Sequence, residues 1–594
     1  MKSDFRYLYV ALAGIFAFYC LVMPHSVTLE DSGELLMVAS SFGIAHPPGY
    51  PLLGMIGGLF GILPTGNLAL NIHFMSAIFG VLSLWVAFLV ASHVTKDRSS
   101  ALFGVILAGL APTVVWFFTV AEVYSQFTFL FLICLHLVLK GERTEWLAFL
   151  IGLGLCAHWP LFVLAGPAVV MARPRLITKV RTRHIGFFLL GLSPFAFLLL
   201  RSLWGTPYMT TGAADSWTSM YELLSRKLYE NVEKADASFN DELLYFSHTL
   251  SVIWRNLWWI GTSLATVGIG SLVRQRRLAE CGALLWLMFG SNLAVRIFFR
   301  VEYDMLFGEQ LEQFHVLPIL AFGIATAAGV VTLRQWLPRR NVGWMVILTA
   351  LAATLCVRNF DEYESQAQKS FAPEIAKLYL SLAPINGIYL AYGDADVGPF
   401  TYINRIEAFR PDVTIYSQSG FLVRPLSVTY SPGYEDRLAQ FLRTQLAQGK
   451  SLVFSRIYPR LTAALTGLET RDYGILSEVS LPGQFSGLPP HALTTAIAFA
   501  NRYTSGELRT ERWKYHQEVV LGPLCRFLLM NNVDHPILQT TVYCRYYTLR
   551  DKPPADPALA EQRTRDLWRD AKYFPKDEKE TIEKVVRRHL TLIK

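Results

Sequence analysis

Residues 7–34 read YLYVALAGIFAFYCLVMPHSVTLEDSGE. Residues 7–24 are almost wholly apolar and close to the length of about 20 that an α-helix needs to cross a bilayer core. Residues 25–34 then place three carboxylates, Glu30, Asp31 and Glu34, within five positions just beyond that run. A carboxylate at a membrane face is costly to desolvate unless it is paired or used, so the stretch reads as a span opening onto a charged outer loop. Met23-Pro24-His25 leads straight into the acidic motif without a small-residue cleavage site. The run is therefore expected to stay as a span and not to be removed as a signal peptide.

The same pattern recurs outward from this point. Apolar runs lie at 67–92, 101–118, 122–139, 146–158, 159–172, 185–203, 250–272, 279–298, 314–334 and 343–358. With 7–24 they predict a polytopic α-helical membrane protein of about eleven transmembrane helices. His158-Trp159-Pro160 interrupts 146–172, which reads as two short helices or one bent one. Residues 51–63 are too short to span and read as re-entrant or interfacial. Only 17% of the 594 residues are charged and the mean hydropathy is +0.33, against about a quarter charged in soluble domains.

Lysine and arginine set the orientation. Lys2 and Arg6, Lys96 and Arg98, Lys140 and Arg143, the group from Arg173 to Arg183, Arg274 to Arg277, and Arg334 to Arg340 all fall on one side if there are eleven spans. That side is expected to be the cytoplasm. Loops 25–66, 204–249 and 299–313 are then outside, as is the C-terminal part. The net charge of +8 is accounted for by these loops. With no aromatic-interleaved basic stretch, nucleic acid is not an expected partner.

The chain thus divides into a membrane domain, 1–358, and a soluble extracytoplasmic C-terminal domain, 359–594. In the latter, a helix over 371–382, strands at 387–392, 413–416 and 450–455, and a helix over 397–408 predict an α/β unit, followed by a mainly helical stretch from about 495. Cys525 and Cys544 would be in an oxidising compartment, where a disulfide and two free thiols are both open. Short loops and the lack of a retention signal at the end give the expectation of a bacterial inner membrane with a periplasmic C-terminal domain.

Several constellations could carry chemistry. Glu30, Asp31 and Glu34, with the Pro/Gly-rich stretch from Ala45 to Pro51 that includes His46, read either as a general-base site or as a solvated acidic loop. Glu122 and Tyr124 stand between two apolar runs, as cavity-lining groups or as a helix end. His158 reads as a site residue or as a hydrogen-bonded structural histidine. Arg201, near Asp215, could bind a lipid phosphate or snorkel to the interface. Arg296, Arg300, Glu302, Asp304, Glu309, Glu312 and His315 could bind phosphate or pair internally. Asp394 and Asp396 fit a metal or sugar site, or a strand-to-helix turn capped by aspartate. All these charges fall on the outer face, which favours one membrane-level site.

Glu30-Asp31-Ser32-Gly33-Glu34 followed by Ala45-His46-Pro47-Pro48-Gly49-Tyr50-Pro51 resembles the "DSGE … HPPG(T/Y)P" signature of a family of polytopic membrane proteins. That family has bacterial members and includes the animal endoplasmic-reticulum O-mannosyltransferase acting on plexin-type receptors. Ala121-Glu122-Val123-Tyr124, His158, Leu200-Arg201-Ser202, and Gly393-Asp394-Ala395-Asp396 with Arg410-Pro411-Asp412-Val413 are similar to further family elements. The resemblance covers about residues 5–420. It departs at Ala157 and Ala395, where the family has asparagine, and at Ala214-Asp215-Ser216-Trp217, where it has "NWGDP".

The resemblance implies a GT-C fold glycosyltransferase with a polyprenyl-phosphate sugar donor, possessing its base in the first outer loop at Asp31. It also implies that no metal or other cofactor is needed. On this expectation Asp31 takes the acceptor proton, Glu30 or Glu34 orients the acceptor or tunes Asp31, and Arg201, Arg296 or Arg300 holds the donor phosphate. His46, Glu122, Tyr124 and His158 line the cavity. One base and no covalent partner suggest inversion at the sugar carbon, mannose being one candidate sugar. The acceptor is expected to be protein or glycan, with membrane lipids as surroundings. The rival expectations are a transporter or flippase of lipid-linked sugars, which needs charges near mid-membrane on several spans, and a non-catalytic scaffold, to which the three carboxylates would be dispensable.

Overall fold

The computed structural model describes the chain apart from residues 1, 142–143, 176–179, 206–213, 215, 228–237, 302, 304, 337–349, 351–352, 355, 368–370, 421, 426–432, 458, 509–513, 552–555, 572–581 and 588–594. Asp215, Glu302, Asp304 and most of the run 343–358 therefore lie outside the described residues.

Among the described residues, five helical segments are long and apolar enough to cross a membrane: Leu68–Thr95, Thr144–Ala165, Thr182–Trp204, Leu278–Phe298 and Phe307–Gln335. Arg98–Gly109 and Pro112–Thr119 make a sixth if the pair, bent by 71°, is one span. Its bend has a local cause, since Pro112 cannot donate to the ladder of the preceding helix. Arg6–Val22 and Tyr124–Lys140 are apolar but shorter; the 17 residues of the latter rise about 25 Å. The run 146–172 takes the bent form. Thr144–Ala165 is continuous but breaks at His158, whose φ and ψ are −162° and 83°. Pro160 follows, and the His158 ring accepts at 3.3 Å from Leu161 N–H. Residues 51–63 form a short helix, Pro51–Gly61, packed against Ser32–Ser41.

The basic loops meet at one end of the bundle. Arg334 pairs with Asp97 at 3.2 Å, Arg277 with Glu280 at 2.8 Å and Arg183 with Glu145 at 2.7 Å, while Arg277 also reaches the Val94 carbonyl. The acidic loop and the C-terminal part occupy the other end. Close helix packing uses small residues, as expected where lipid supplies no hydrophobic drive: a methyl group on Gly104 would overlap the Gly323 carbonyl.

The C-terminal part contains a five-stranded sheet in the order β2-β1-β3-β5-β4, with β1 Ile388–Ala391, β2 Thr414–Ser417, β3 Leu452–Phe454, β4 Glu469–Asp472 and β5 Ser477–Ser480. β1 runs parallel to β2 and β3; β5 is antiparallel to both its neighbours. β2 and β3 flank β1 on opposite sides, so the strand order reverses at the carboxyl end of β1, a usual ligand position in α/β sheets. The helix Asp394–Arg405 starts there. Cys525 and Cys544 are joined by a disulfide with a Cα–Cα distance of 5.3 Å. One apolar core runs without a break from Leu8 to Cys544, so the C-terminal part sits directly on the end of the helices that carries the acidic loop.

Candidate active site

The acidic loop owes its shape to Glu30, whose φ of 65° is left-handed, an uncommon state for a residue with a side chain. The chain then enters the helix Ser32–Ser41 with Asp31 at the N-cap position, but the Asp31 side chain makes no capping hydrogen bond. Glu34 lies one turn on, on the same helix face. Both its oxygens are committed to His46: Oε1 accepts from the backbone N–H at 2.6 Å and Oε2 meets Nδ1 at 2.9 Å. His46 Nε2 then points towards Asp31 Oδ2 at 3.9 Å. Glu30 is committed as well, with Oε1 at 2.9 Å from His516 Nε2 and Oε2 accepting from Gln310 at 3.3 Å. Of the three carboxylates only Asp31 has no hydrogen-bond partner for its side chain among the described residues, and that side chain stays 31% exposed.

The stretch after His46 turns at Gly49, whose φ of 94° a residue with a Cβ would rarely adopt. Tyr50 follows, its ring 5.1 Å from the His46 ring and 5.4 Å from His158. Tyr124 stands 5.9 Å from His158 and 6.2 Å from Phe314. Glu122 is buried near Asp31. Glu30, Asp31, Glu34, His46, Glu122, Tyr124 and His158, far apart in sequence, therefore form one constellation.

Of the predicted arginines, Arg201 and Arg296 are engaged by groups of the fold. Arg201 donates to the carbonyls of Phe42 and Ser41 at 2.8 and 2.9 Å. It satisfies the carbonyl end of Ser32–Ser41, about 15 Å of helix away from Asp31. Arg296 is buried, pairs with Glu242 at 3.0 Å and donates to the Phe299 carbonyl at 3.3 Å, leaving Nη2 without a partner. Arg300 is exposed. The guanidinium beside the constellation is Arg226, which no motif had marked. It donates to the Pro47 carbonyl at 2.8 Å, lies over the Phe299 ring at 5.4 Å and acts electrostatically on both Asp31 and His46.

The C-terminal part adds two more groups. A methyl on Gly33 would overlap the backbone of Gly398, so the helices Ser32–Ser41 and Asp394–Arg405 touch main chain to main chain. Asp394, one turn before Gly398 on the same face, is thereby carried beside Glu30 and Asp31. Gly393, with φ of 87°, is the N-cap of this helix, so neither aspartate caps it. Asp396 instead accepts from Tyr392 N–H at 3.1 Å and Ser455 Oγ at 2.5 Å. Asp394 is exposed to solvent in a recess crowded by the carboxylates of the acidic loop. The second group is His516, on Lys514–Met530.

Burial pushes the Asp31 carboxyl up to about 6, with the His46 imidazolium opposing and Glu34 and Glu30 adding to the rise. Burial works against protonation of His46, but Glu34 and Asp31 outweigh it and push the imidazole up to about 9. Burial, then Glu30 and Asp31, push Asp394 up to about 8. At neutral pH, therefore, Asp31 is ionised, His46 is an imidazolium and Asp394 is largely protonated. Asp31, Glu34 and His46 also offer ligand atoms within 4.8 Å of one another, a set that could hold a cation if His46 gave up its proton.

Residues 31–180 match the family model "Protein O-mannosyl-transferase TMEM260 N-terminal domain". The chain is 22% identical over 442 residues to the protein O-mannosyl-transferase TMEM260 of Mus musculus, covering 68% of this chain and 62% of that protein. It is 21% identical over 482 residues to the protein O-mannosyl-transferase tmem260 of Dictyostelium discoideum, covering 70% and 58%. The match thus spans about three fifths of the length of each relative. Among solved structures, ArnT from Cupriavidus metallidurans in the apo state superposes with a TM-score of 0.46 at 12% identity, over 82% of this chain and 99% of that one. The arabinofuranosyltransferase AftD from Mycobacteria gives 0.39 at 15% identity, over 78% and 39%. The chain is a multi-pass membrane protein, and the segment that carries Asp31, Glu34, His46, Glu122 and His158 is similar to the N-terminal domain of the protein O-mannosyl-transferase TMEM260 family.

Proposed function

We propose that the chain is a GT-C glycosyltransferase that moves a sugar, mannose by analogy with its relatives' names, from a polyprenyl-phosphate donor to a hydroxyl on a protein. The observation that carries this reading is that Asp31, alone of the three loop carboxylates, has a partly exposed side chain with no hydrogen-bond partner among the described residues, its carboxyl pushed up to about 6. A base poised near 6 suits proton abstraction at neutral pH.

In this mechanism Asp31 takes the proton of the acceptor hydroxyl as its oxygen bonds to the anomeric carbon. The bond from that carbon to the donor phosphate oxygen breaks, and its electron pair leaves with the phosphate. A single displacement inverts the anomeric carbon. Arg226 stabilises the charge gathering on the phosphate, with Arg296, which also contacts Phe299, as a further guanidinium, while the His46 imidazolium holds Asp31 ionised. Protonated Asp394 is suited to donating a hydrogen bond to a sugar or acceptor oxygen. Tyr50, Tyr124 and His158 form the aromatic wall. The reading takes the chemistry to need no metal, which the EDTA arm of the assay below tests.

The reading keeps eleven spans, a bacterial inner membrane as its setting, and the unit after residue 358 on the outer side with the site. Purified protein is to be incubated with a panel of radiolabelled polyprenyl-phosphate sugars and a serine- and threonine-rich peptide, with and without EDTA. EDTA-insensitive transfer of one sugar to the peptide supports the reading. Movement of lipid-linked sugar across vesicles without transfer would favour a flippase instead.

A further inference from the structure

Three segments remote in sequence meet at one buried point beside the proposed base. Glu30 comes from the first outer loop, Glu309 and Gln310 from the helix Met305–Leu311, and His516 from the C-terminal helix Lys514–Met530. The side chains of His516, Glu30 and Glu309 are 5%, 7% and 12% exposed. His516 Nε2 lies 2.9 Å from Glu30 Oε1, and its Nδ1 lies 3.2 Å from Glu309 Oε2. Gln310 holds the other Glu30 oxygen at 3.3 Å. Burial works against the imidazolium, but Glu30 and Glu309 outweigh it and push His516 up to about 10, so the ring is charged throughout the neutral range.

A buried ion cluster of this kind adds little net stability compared with apolar packing of the same volume. It does define position, and Glu30 is a residue whose position matters. Its left-handed backbone is unfavourable for a residue bearing a Cβ and sets the direction in which Asp31 leaves. The groups that hold the Glu30 side chain come from outside its own loop.

We propose that His516 is a positioning residue for sugar transfer: by gripping the Glu30 carboxylate it fixes the left-handed turn that presents Asp31 to the acceptor, making the C-terminal part a working component of the active site. This rests on Asp31 being the base. Asp31 touches substrate in that reading; His516 acts only through Glu30.

The test is a double-mutant cycle on the full chain, with His516→Ala, Glu30→Gln and the two combined, using the sugar donor that the wild type turns over and the same peptide. His516→Ala is expected to lower kcat by about 100-fold, the scale for a misplaced catalytic group, while the donor KM stays within about 2-fold. The double variant is expected to fall no more than about 3-fold below the worse single, because both remove one linkage. His516→Gln, which keeps a side-chain N–H donor, is expected to recover part of the loss, and it replaces alanine in the cycle if His516→Ala does not fold. Losses that multiply in the double variant, or a His516→Ala kcat within about 3-fold of wild type, would overturn the proposal while leaving the transferase reading intact. A wild type inert towards every donor would overturn both.

Discussion

Replacing His46 by glutamine tests the electrostatics of the site. The His46 imidazolium lies 3.9 Å from the Asp31 carboxylate. Two unit charges at that distance interact by about 4 kcal/mol at an effective dielectric constant near 20. Asp31 is 31% exposed, so about half of that, about 2 kcal/mol, is the working figure, equivalent to about 1.5 pH units. Loss of the cation disfavours the ionised carboxylate, so the Asp31 pKa must rise. The base works only when ionised. Activity is therefore present above this pKa and lost as pH falls through it, and the acid limb should move from about 6 to about 7.5 in the variant. The assay is kcat/KM for sugar transfer between pH 5 and 9, which reports the free enzyme. At pH 6.5 the variant should be about 8-fold slower than wild type, recovering most of the difference by pH 9. An acid limb at or below that of wild type would refute the reasoning.

Other perturbations separate the remaining roles. Arg226→Ala should lower kcat/KM by about 100-fold or more if the guanidinium meets the phosphate, as for loss of one preorganised donor, and steady-state kinetics against donor concentration measures it. Gly33→Ala forces a methyl into the Gly398 main chain; it should destabilise the protein by about 1–3 kcal/mol and lower activity together with the thermal midpoint. Cys525→Ser opens a loop of sequence separation 19 and should cost about 3 kcal/mol, visible as a lower midpoint in detergent with little change in the acid limb.

The sequence made parts of this site legible because its spacing is local. Glu30, Asp31, Glu34 and His46 sit in one quoted stretch, and their residue types already state a charge problem at a membrane face. Arg201 illustrates the opposite case. An arginine at the end of an apolar run reads as a phosphate ligand or as a side chain snorkelling to the interface, and only the structure shows it spent on the orphan carbonyls of Ser41 and Phe42. Arg226 and His516 carry no local signal: each acts through contacts made far away in the chain. Asp394 was visible as half of a strand-to-helix turn, but its closeness to Asp31 depends on the Gly33–Gly398 contact. The strands β1, β2 and β3 are apolar enough to read directly. β4 was not, since all four of its residues are exposed and no alternation marks it. Residues 101–118 read as one straight run, while the structure bends them by 71°.

Single-turnover transfer of mannose from polyprenyl-phosphate mannose, wild type against Asp31→Asn, tests the central claim most directly. Asparagine keeps the shape of the side chain but cannot take a proton. The account predicts a loss of about 1000-fold or more in the transfer rate, within the range for a general base, with donor binding and the thermal midpoint unchanged. A variant that still transfers the sugar within about 10-fold of the wild-type rate would show that Asp31 is not the base.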